Sequence, residues 1–334
     1  MNQKEVLFEI KNLKKYYPIY RGWLKKHVND VKALDDVSLT IYKGETLGIV
    51  GESGCGKTTL GKTLMMLQKP TSGTMRYNFG PDFKDLTQLS KSELFEYRKK
   101  AQMVFQDPYT SLNPLKKIFQ AFEEPLLVHG VKDKEERWAK MKVALDMVNL
   151  REDYLYRYPH EFSGGQRQRL SIARVLGLSP QMIICDEPVS ALDVSIQAQV
   201  LNLMKQIQKD MDLTYIFIAH DLSVVQYMSD RIVVMYLGKI VEIADRNELY
   251  EKPLHPYTQA LLSAIPVPVV NQKKDRIILE GDVPSPINKP KGCAFSNRCQ
   301  YCMDICRVEE PKLLDESSEH QVACHLYTME KTNE

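Results

Sequence analysis

The run Gly51-Glu52-Ser53-Gly54-Cys55-Gly56-Lys57-Thr58 spaces two glycines, a lysine and a threonine as G-x-x-x-x-G-K-T. That combination handles phosphate. Glycines let successive backbone N–H groups turn toward anionic oxygens, because no Cβ blocks the approach. Lys57 reaches the terminal phosphates of a nucleotide, and the Thr58 hydroxyl is placed to ligate Mg²⁺. A second candidate is Asp186-Glu187, at the end of the apolar stretch Met182-Ile183-Ile184-Cys185. Asp186 can hold Mg²⁺ through water, and Glu187 can polarise an attacking water as general base. A third is Phe162-Ser163-Gly164-Gly165-Gln166-Arg167-Gln168-Arg169. There Ser163, Gly164 and Gly165 open a helix whose first N–H groups meet no side-chain obstruction, which makes a second anion site. One nucleotide on one chain does not need two phosphate sites so far apart. Two copies facing head to tail would each lend one site to a shared nucleotide.

These residues need a strand before each loop and a helix after it. Thr46-Leu47-Gly48-Ile49-Val50 reads as a buried strand, and Thr59 to Leu67 as the helix beyond the phosphate loop, its positive dipole end aimed at the anion. Val6–Tyr17 and Val37–Tyr42 carry β-type alternation, and the basic, aromatic insertion 21–27 between them reads as an exposed loop. Further strands are expected at Gly73–Asn78, Ala101–Phe105, Met182–Asp186, Thr214–Ala219, Arg231–Met235 and Lys239–Ile243. Helices are expected at Ser90–Lys100, within 116–150, at Ser163–Leu178 with Ser163 as N-cap, at Ser195–Met211 and at Leu222–Met228. Alternating strands and helices after a phosphate loop indicate a mainly parallel sheet covered on both faces.

The run from Phe162 resembles the signature of ABC-type ATPases, whose first residue is usually Leu; Phe162 is a conservative departure. Other elements then fall in order. Gln106 is similar to the Gln that senses Mg²⁺ and the attacking water, and Ser190-Ala191-Leu192-Asp193 to the loop that crosses the dimer. His220 resembles the switch His at the γ-phosphate. Tyr17 resembles the aromatic that stacks on adenine, with Tyr16 as rival. The resemblance implies an α/β P-loop NTPase fold with an N-terminal antiparallel β part and an inserted helical subdomain at about 107–180. It implies ATP and Mg²⁺ bound by Gly51, Glu52, Ser53, Gly54, Cys55, Gly56, Lys57, Thr58 and Thr59. Mg²⁺ would be held by Thr58, Gln106 and Asp186, and catalysis would fall to Glu187, His220 and Gln106. Ser163, Gly164, Gly165 and Gln166 would serve a neighbour's nucleotide.

Phe105 to Pro114 and His255-Pro256-Tyr257-Thr258 resemble ATP-binding subunits of oligopeptide/dipeptide importers, a family that includes nickel-type relatives. The first stretch would lie beside the groove that receives a coupling helix. The resemblance implies a second ABC ATPase subunit, similar but different, two transmembrane permease subunits and an external peptide-binding protein. A soluble ABC ATPase acting in DNA repair or translation is the rival class. Such relatives usually carry a long coiled-coil insertion or two ATP domains in one chain, and neither is found here.

Five of the seven cysteines fall between 293 and 324, as Cys293-x₅-Cys299-x₆-Cys306-x₁₇-Cys324 with Cys302 between. In a reducing compartment, gathered thiolates suit Zn²⁺ or an iron–sulfur cluster, or stay reduced and unliganded. The resemblance favours a [4Fe–4S] cluster on Cys293, Cys299, Cys306 and Cys324. Cys55 and Cys185 read as packing residues.

The 334 residues suffice for a large domain and a small one, here 1–264 and a Cys-rich extension 265–334 after a Pro-rich stretch. Hydrophobic and charged fractions of 43% and 26% are those of a globular protein, and a net charge of +2 gives no nucleic-acid footprint. No apolar run nears the ~20 residues that span a bilayer, and residues 1–5 open no signal peptide. The protein is expected at the cytoplasmic face of the membrane, attached through its permease partners.

Overall fold

Apolar runs long enough for one buried strand each decide where this chain turns into sheet. The structure is a computed structural model and describes residues 4–80, 82–107, 111–265, 276–317 and 319–328. Strands β1 (Val6–Arg21) and β2 (Lys26–Tyr42) form a long hairpin, and the 21–27 insertion is its tip, with 22–25 the exposed turn between the two strands. Its exposure is as expected, with Trp23 93% and Leu24 85% exposed. The strands run on because Tyr17, Ile19, Tyr20 and Val28 favour extended backbone. After β3 (Thr46–Val50) come the phosphate loop and α1 (Lys57–Leu64), then β4 (Ser72–Asn78) and β5 (Phe83–Asp85).

Helix α2 (Lys91–Lys100) starts at a capping box between Ser90 and Glu93 and leads into β6 (Ala101–Val104). Helices α3 (Ile118–Val128), α4 (Lys134–Met147) and α5 (Gly164–Leu176) follow. Next are β7 (Met182–Asp186), α6 (Val194–Met211), β8 (Thr214–Ile218) and α7 (Leu222–Met228). Then come β9 (Arg231–Tyr236), β10 (Lys239–Asp245), α8 (Arg246–Glu251) and α9 (Pro256–Ser263). The tail holds α10 (Asp304–Val308), β11 (Leu314–Ser317), β12 (His320–Val322) and α11 (His325–Thr328). Pro266 and Pro268 of the Pro-rich stretch, and Pro108–Thr110 of the stretch after Gln106, lie outside the described residues.

The chain forms two compact units. The first comprises 1–41, 46–88 and 220–334. In it, β1, β2, β4 and β5 make a sheet in the order β2-β1-β4-β5, the expected N-terminal antiparallel part. A second sheet pairs β3 in parallel with β9, then continues antiparallel through β10, β12 and β11. The last two strands are not evident in the sequence, since runs of four and three residues are too short to show alternation. The second unit comprises 42–45 and 89–219. Its strands β6, β7 and β8 are parallel neighbours, and every residue of β7 and β8 is buried. Strands buried on both faces read as continuous apolar runs, which is why β3, β7 and β8 are visible in the sequence.

The tail is tied to β10 by a buried carboxylate. Glu242 is fully buried and accepts from the N–H of Leu254 at 2.7 Å and of His255 at 3.0 Å, and lies 2.7 Å from His320 Nε2 on β12. His255 in turn caps α9, its Nδ1 accepting from Tyr257 N–H at 3.0 Å. Burial drives the His255 pKa down to about 4, partly opposed by Glu242, so the ring stays neutral and able to accept. The unfolded chain takes up a proton at this histidine near the ordinary value of 6.5, and the folded chain only near 4. Stability held above pH 6.5 should therefore fall by about 3 kcal/mol as pH drops toward 4. Thermal unfolding of His255→Asn, which keeps a capping acceptor, should show a flatter acid limb than wild type between those values. Superimposable acid limbs would refute the assignment.

Candidate functional site

In the first unit, β3 delivers the phosphate loop from a wholly buried strand. Gly51 has φ +149°, and a Cβ there would sit 2.2 Å from the Met235 carbonyl oxygen on β9. No other residue fits. Gly56 is the N-cap of α1 and offers no side chain to the first turn, so those N–H groups face the loop. Lys57 is buried, and its Nζ donates to the carbonyls of Gly51 at 2.6 Å and Glu52 at 3.1 Å. Its ammonium thus sits inside the loop's own curve. Ser53 and Gly54 are exposed at the tip, and Glu52, Thr58 and Thr59 are half-buried. Cys55 is buried, with burial raising its thiol pKa.

Tyr16 and Tyr17 are both half-buried and both have engaged hydroxyls. Tyr16 donates to Asp35 Oδ1, and Tyr17 to Gln68 Oε1 just beyond α1. Lys15 Nζ stands 4.8 Å from the Tyr17 ring centre and also donates to the Lys69 carbonyl at 2.8 Å. Exposed His220 precedes Asp221, which caps α7 by accepting from Ser223 N–H at 2.8 Å.

In the second unit, β7 ends on Asp186, which is 3% exposed. Glu187 follows with φ +48°, a left-handed conformation unusual for a non-glycine residue, while its N–H donates to the Ile218 carbonyl at 2.8 Å. The turn brings its carboxylate to Gln106, 81 positions away, whose Nε2 donates to Glu187 Oε2 at 2.8 Å. Two residues singled out separately in the sequence are thus in contact. The following loop is pinned by Ser190 Oγ, donating to the Glu187 carbonyl at 3.1 Å, and by Gln197 Nε2 of α6. The Gln197 amide donates to the Val189 and Leu192 carbonyls at 3.0 and 2.9 Å. Gln197 has no counterpart in the sequence reading, because a glutamine on an exposed-looking helix start carries no signal.

Ser163 caps α5 as expected, within a capping box: its Oγ accepts from Gln166 N–H at 3.4 Å, and Gln166 Oε1 accepts from Ser163 N–H at 3.0 Å. Phe162 is 3% exposed and packs edge-on to Tyr154 at 5.1 Å, so its departure from Leu is a matter of core packing. Gly165 allows close approach of α6: a Cβ there would lie 2.4 Å from Ile196 Cγ2.

In the tail, Cys293 N–H donates to the Cys306 carbonyl at 2.8 Å. Burial raises the thiol pKa of Cys293 to about 12 and of Cys324 to about 11, with the neighbouring thiols adding to it; Cys299 is raised for the same reasons. The thiols of Cys299, Cys306 and Cys324 act on Cys293, and those of Cys299 and Cys306 on Cys324. Yet among the described residues no group of three or more His, Cys, Asp or Glu side chains is arranged to hold a metal ion. The expected [4Fe–4S] site is thus not supported as formed: the donors are of the right kind but not drawn onto one centre.

Residues 34–190 match the family described as ABC transporter, and 241–306 the oligopeptide/dipeptide transporter C-terminal region. The chain is 52% identical to the oligopeptide transport ATP-binding protein AppF of Bacillus subtilis, over 97% of this chain and 98% of that one. The chain belongs to the ABC transporter family. Within it, the chain is also 49% identical to the dipeptide transport ATP-binding protein DppF of Haemophilus influenzae, over 93% and 94% of the two lengths. Among solved structures it is similar to the dimeric post-hydrolysis state of the ATP-binding cassette MJ0796 bound to ADP and Pi. The TM-score is 0.62 at 30% identity, covering 72% of this chain and 99% of that one. This ABC subunit is an ATPase. Among the described residues no helix is long and apolar enough to cross a membrane.

The contact between α5 and α6 gives a direct test. Gly165→Ala should destabilise the protein by about 1–3 kcal/mol through overpacking. In an Ile196→Ala background that cost should shrink to less than half. Denaturant unfolding of the four variants measures it, and an undiminished cost would show that Ile196 is not the obstruction.

Proposed function

We propose that this chain powers import of oligopeptides or dipeptides, as a peripheral subunit at the cytoplasmic face of the membrane. Gln106 holding Glu187 beside Asp186 is the observation that carries the hydrolytic half of this reading. The names of the relatives AppF and DppF supply the peptide half. Lys57, the N–H groups of 51–59 and the Thr58 hydroxyl would bind the phosphates, and Thr58, Asp186 and Gln106 are the residues that would hold Mg²⁺, which would polarise the γ-phosphate. Glu187 takes the proton of the attacking water, and His220 with Lys57 stabilises γ-phosphate charge. Tyr17, tied to the segment after α1 on one side and covered by Lys15, stacks on adenine with its other face.

The face Ser163–Gln166 meets the nucleotide of a second, similar but different ATPase subunit. That the similar cassette MJ0796 is dimeric when bound to ADP and Pi supports a pairing of two ATPase subunits. Two permease subunits receive the closing motion near the stretch that follows Gln106, and an external binding protein selects the peptide. No nucleic acid takes part.

We propose in addition that Cys293, Cys299, Cys306 and Cys324 hold a [4Fe–4S] cluster. The reading is supported by four cysteines of the right donor chemistry gathered within 293–324, whose thiols act on one another electrostatically. Such a cluster would supply a covalent tie between the segments that carry the four cysteines.

In the assembled transporter, Glu187→Gln should lower ATP turnover by about a hundredfold or more while ATP still binds and holds the dimer closed. Full turnover would refute the general base. Peptide uptake should stop with it; uptake of nickel instead of peptide by the wild-type assembly would overturn the peptide assignment. Anaerobically prepared protein should contain iron and acid-labile sulfide in equal amounts, whereas one equivalent of zinc without iron would replace the cluster by a zinc site.

A further inference from the structure

The second residue of the phosphate loop is gripped from outside the loop at its backbone and its side chain. Glu52 N–H donates to the hydroxyl oxygen of Tyr257 on α9 at 2.8 Å. The Glu52 carboxylate accepts from both terminal nitrogens of Arg298, at 2.8 and 3.3 Å. Arg298 lies between Cys293 and Cys299 in the tail, and its side chain is only 8% exposed. Glu52 also offers its carbonyl to Lys57 Nζ at 3.1 Å. One loop residue thus joins the tail's arginine, the tyrosine of α9 and the lysine that meets the phosphates.

The support beneath is rigid. Tyr236, Tyr257 and Phe295 pack as an aromatic triangle with ring centres 4.7, 5.3 and 5.4 Å apart. Tyr236, Tyr257 and Phe295 are all buried, and Arg298 N–H donates to the Phe295 carbonyl at 3.0 Å. The guanidinium therefore projects from a fixed base.

We propose that Arg298 is a positioning residue for nucleotide binding: it neutralises Glu52 and fixes the phosphate loop through it. A carboxylate at the edge of an anion-binding loop repels the triphosphate unless a cation cancels it. A planar guanidinium does so while setting direction, since two parallel N–H···O contacts fix both partners, which a lysine cannot reproduce. The Cys-rich tail is then a working part of the nucleotide site. This inference rests on the reading of 51–58 as the ATP loop, and the control below tests that reading separately.

The experiment is equilibrium binding of Mg-ATP to the full-length chain, with ATPase kinetics of the assembled transporter alongside. Arg298→Ala should weaken ATP binding about tenfold to a hundredfold, because a shielded carboxylate is left without its partner. Arg298→Lys should recover only part of the loss. The double variant Glu52→Gln with Arg298→Ala should bind within about threefold of Glu52→Gln alone, because the uncancelled charge is gone. In turnover, Arg298→Ala should raise KM far more than it lowers kcat. Lys57→Ala should lose ATP binding, and retention there would fell the loop assignment itself. With that control intact, unchanged binding by Arg298→Ala overturns the inference. So does failure of Glu52→Gln to rescue, since loss of fold would not be cured by removing a charge.

Discussion

A loop that holds phosphate with backbone N–H groups cannot hold itself in shape, because the side chains that would brace it would block the anion. The bracing must come from elsewhere in the chain. Here β3 is locked in parallel register with β9, from Leu47 against Arg231 to Val50 against Val234. Gly51 lies against the Met235 carbonyl, and Gly238 N–H donates to the Cys55 carbonyl at 2.8 Å. Glu52 is held by Tyr257 and Arg298. All of these partners come from residues beyond 230, so the first chemical motif of the chain takes its form from the last third. Local sequence makes the loop possible; long-range packing makes it stand.

The second unit meets the opposite demand, which is to deliver charge out of an apolar strand. β7 is buried throughout, and a carboxylate deeper in it would be strongly disfavoured. Placing Asp186 at its last position and turning sharply at Glu187 brings both acids to the strand's end without breaking the ladder. The left-handed backbone at Glu187 is the local cost of that turn, held by the hydrogen bond from its N–H to Ile218 and by the Ser190 hydroxyl on its carbonyl. Gln106 leaves the neighbouring strand β6 at the same end, which is why parallel order alone brings it to Glu187.

Whatever depended on a contiguous run was legible in the sequence. The buried strands β3, β7 and β8, the Ser163 cap and the glycines of both loops all follow from neighbours within a few positions. Pairings were not. Arg298 reads as a spacer between cysteines until the fold sets it on Glu52, 246 positions earlier. The strands β11 and β12 are too short to declare themselves, and Glu242 reads as an ordinary strand carboxylate. The exposed turn at 22–25 was legible from its basic, aromatic composition, but the strands on either side run further than alternation shows, because Tyr and Val favour extended chain. His255-Pro256-Tyr257-Thr258 served as a family marker; its physical work is to cap α9 and to present Tyr257 to the loop.

Glu242 shows why the tail is not an appendage. Burying a carboxylate is unfavourable unless its oxygens are fully engaged, and this one takes two backbone N–H groups and faces His320. Replacing such a group by an apolar one would often be neutral for stability, so what it adds is register: only one placement of β12 puts His320 against it. The same carboxylate fixes the turn at Leu254 and His255, and that turn starts the helix carrying Tyr257. Setting the tail strand and setting the tyrosine that grips Glu52 are therefore one event. A tail that docks wrongly would misplace Tyr257 and Arg298 together, and Glu52 would lose both of its outside holds at once.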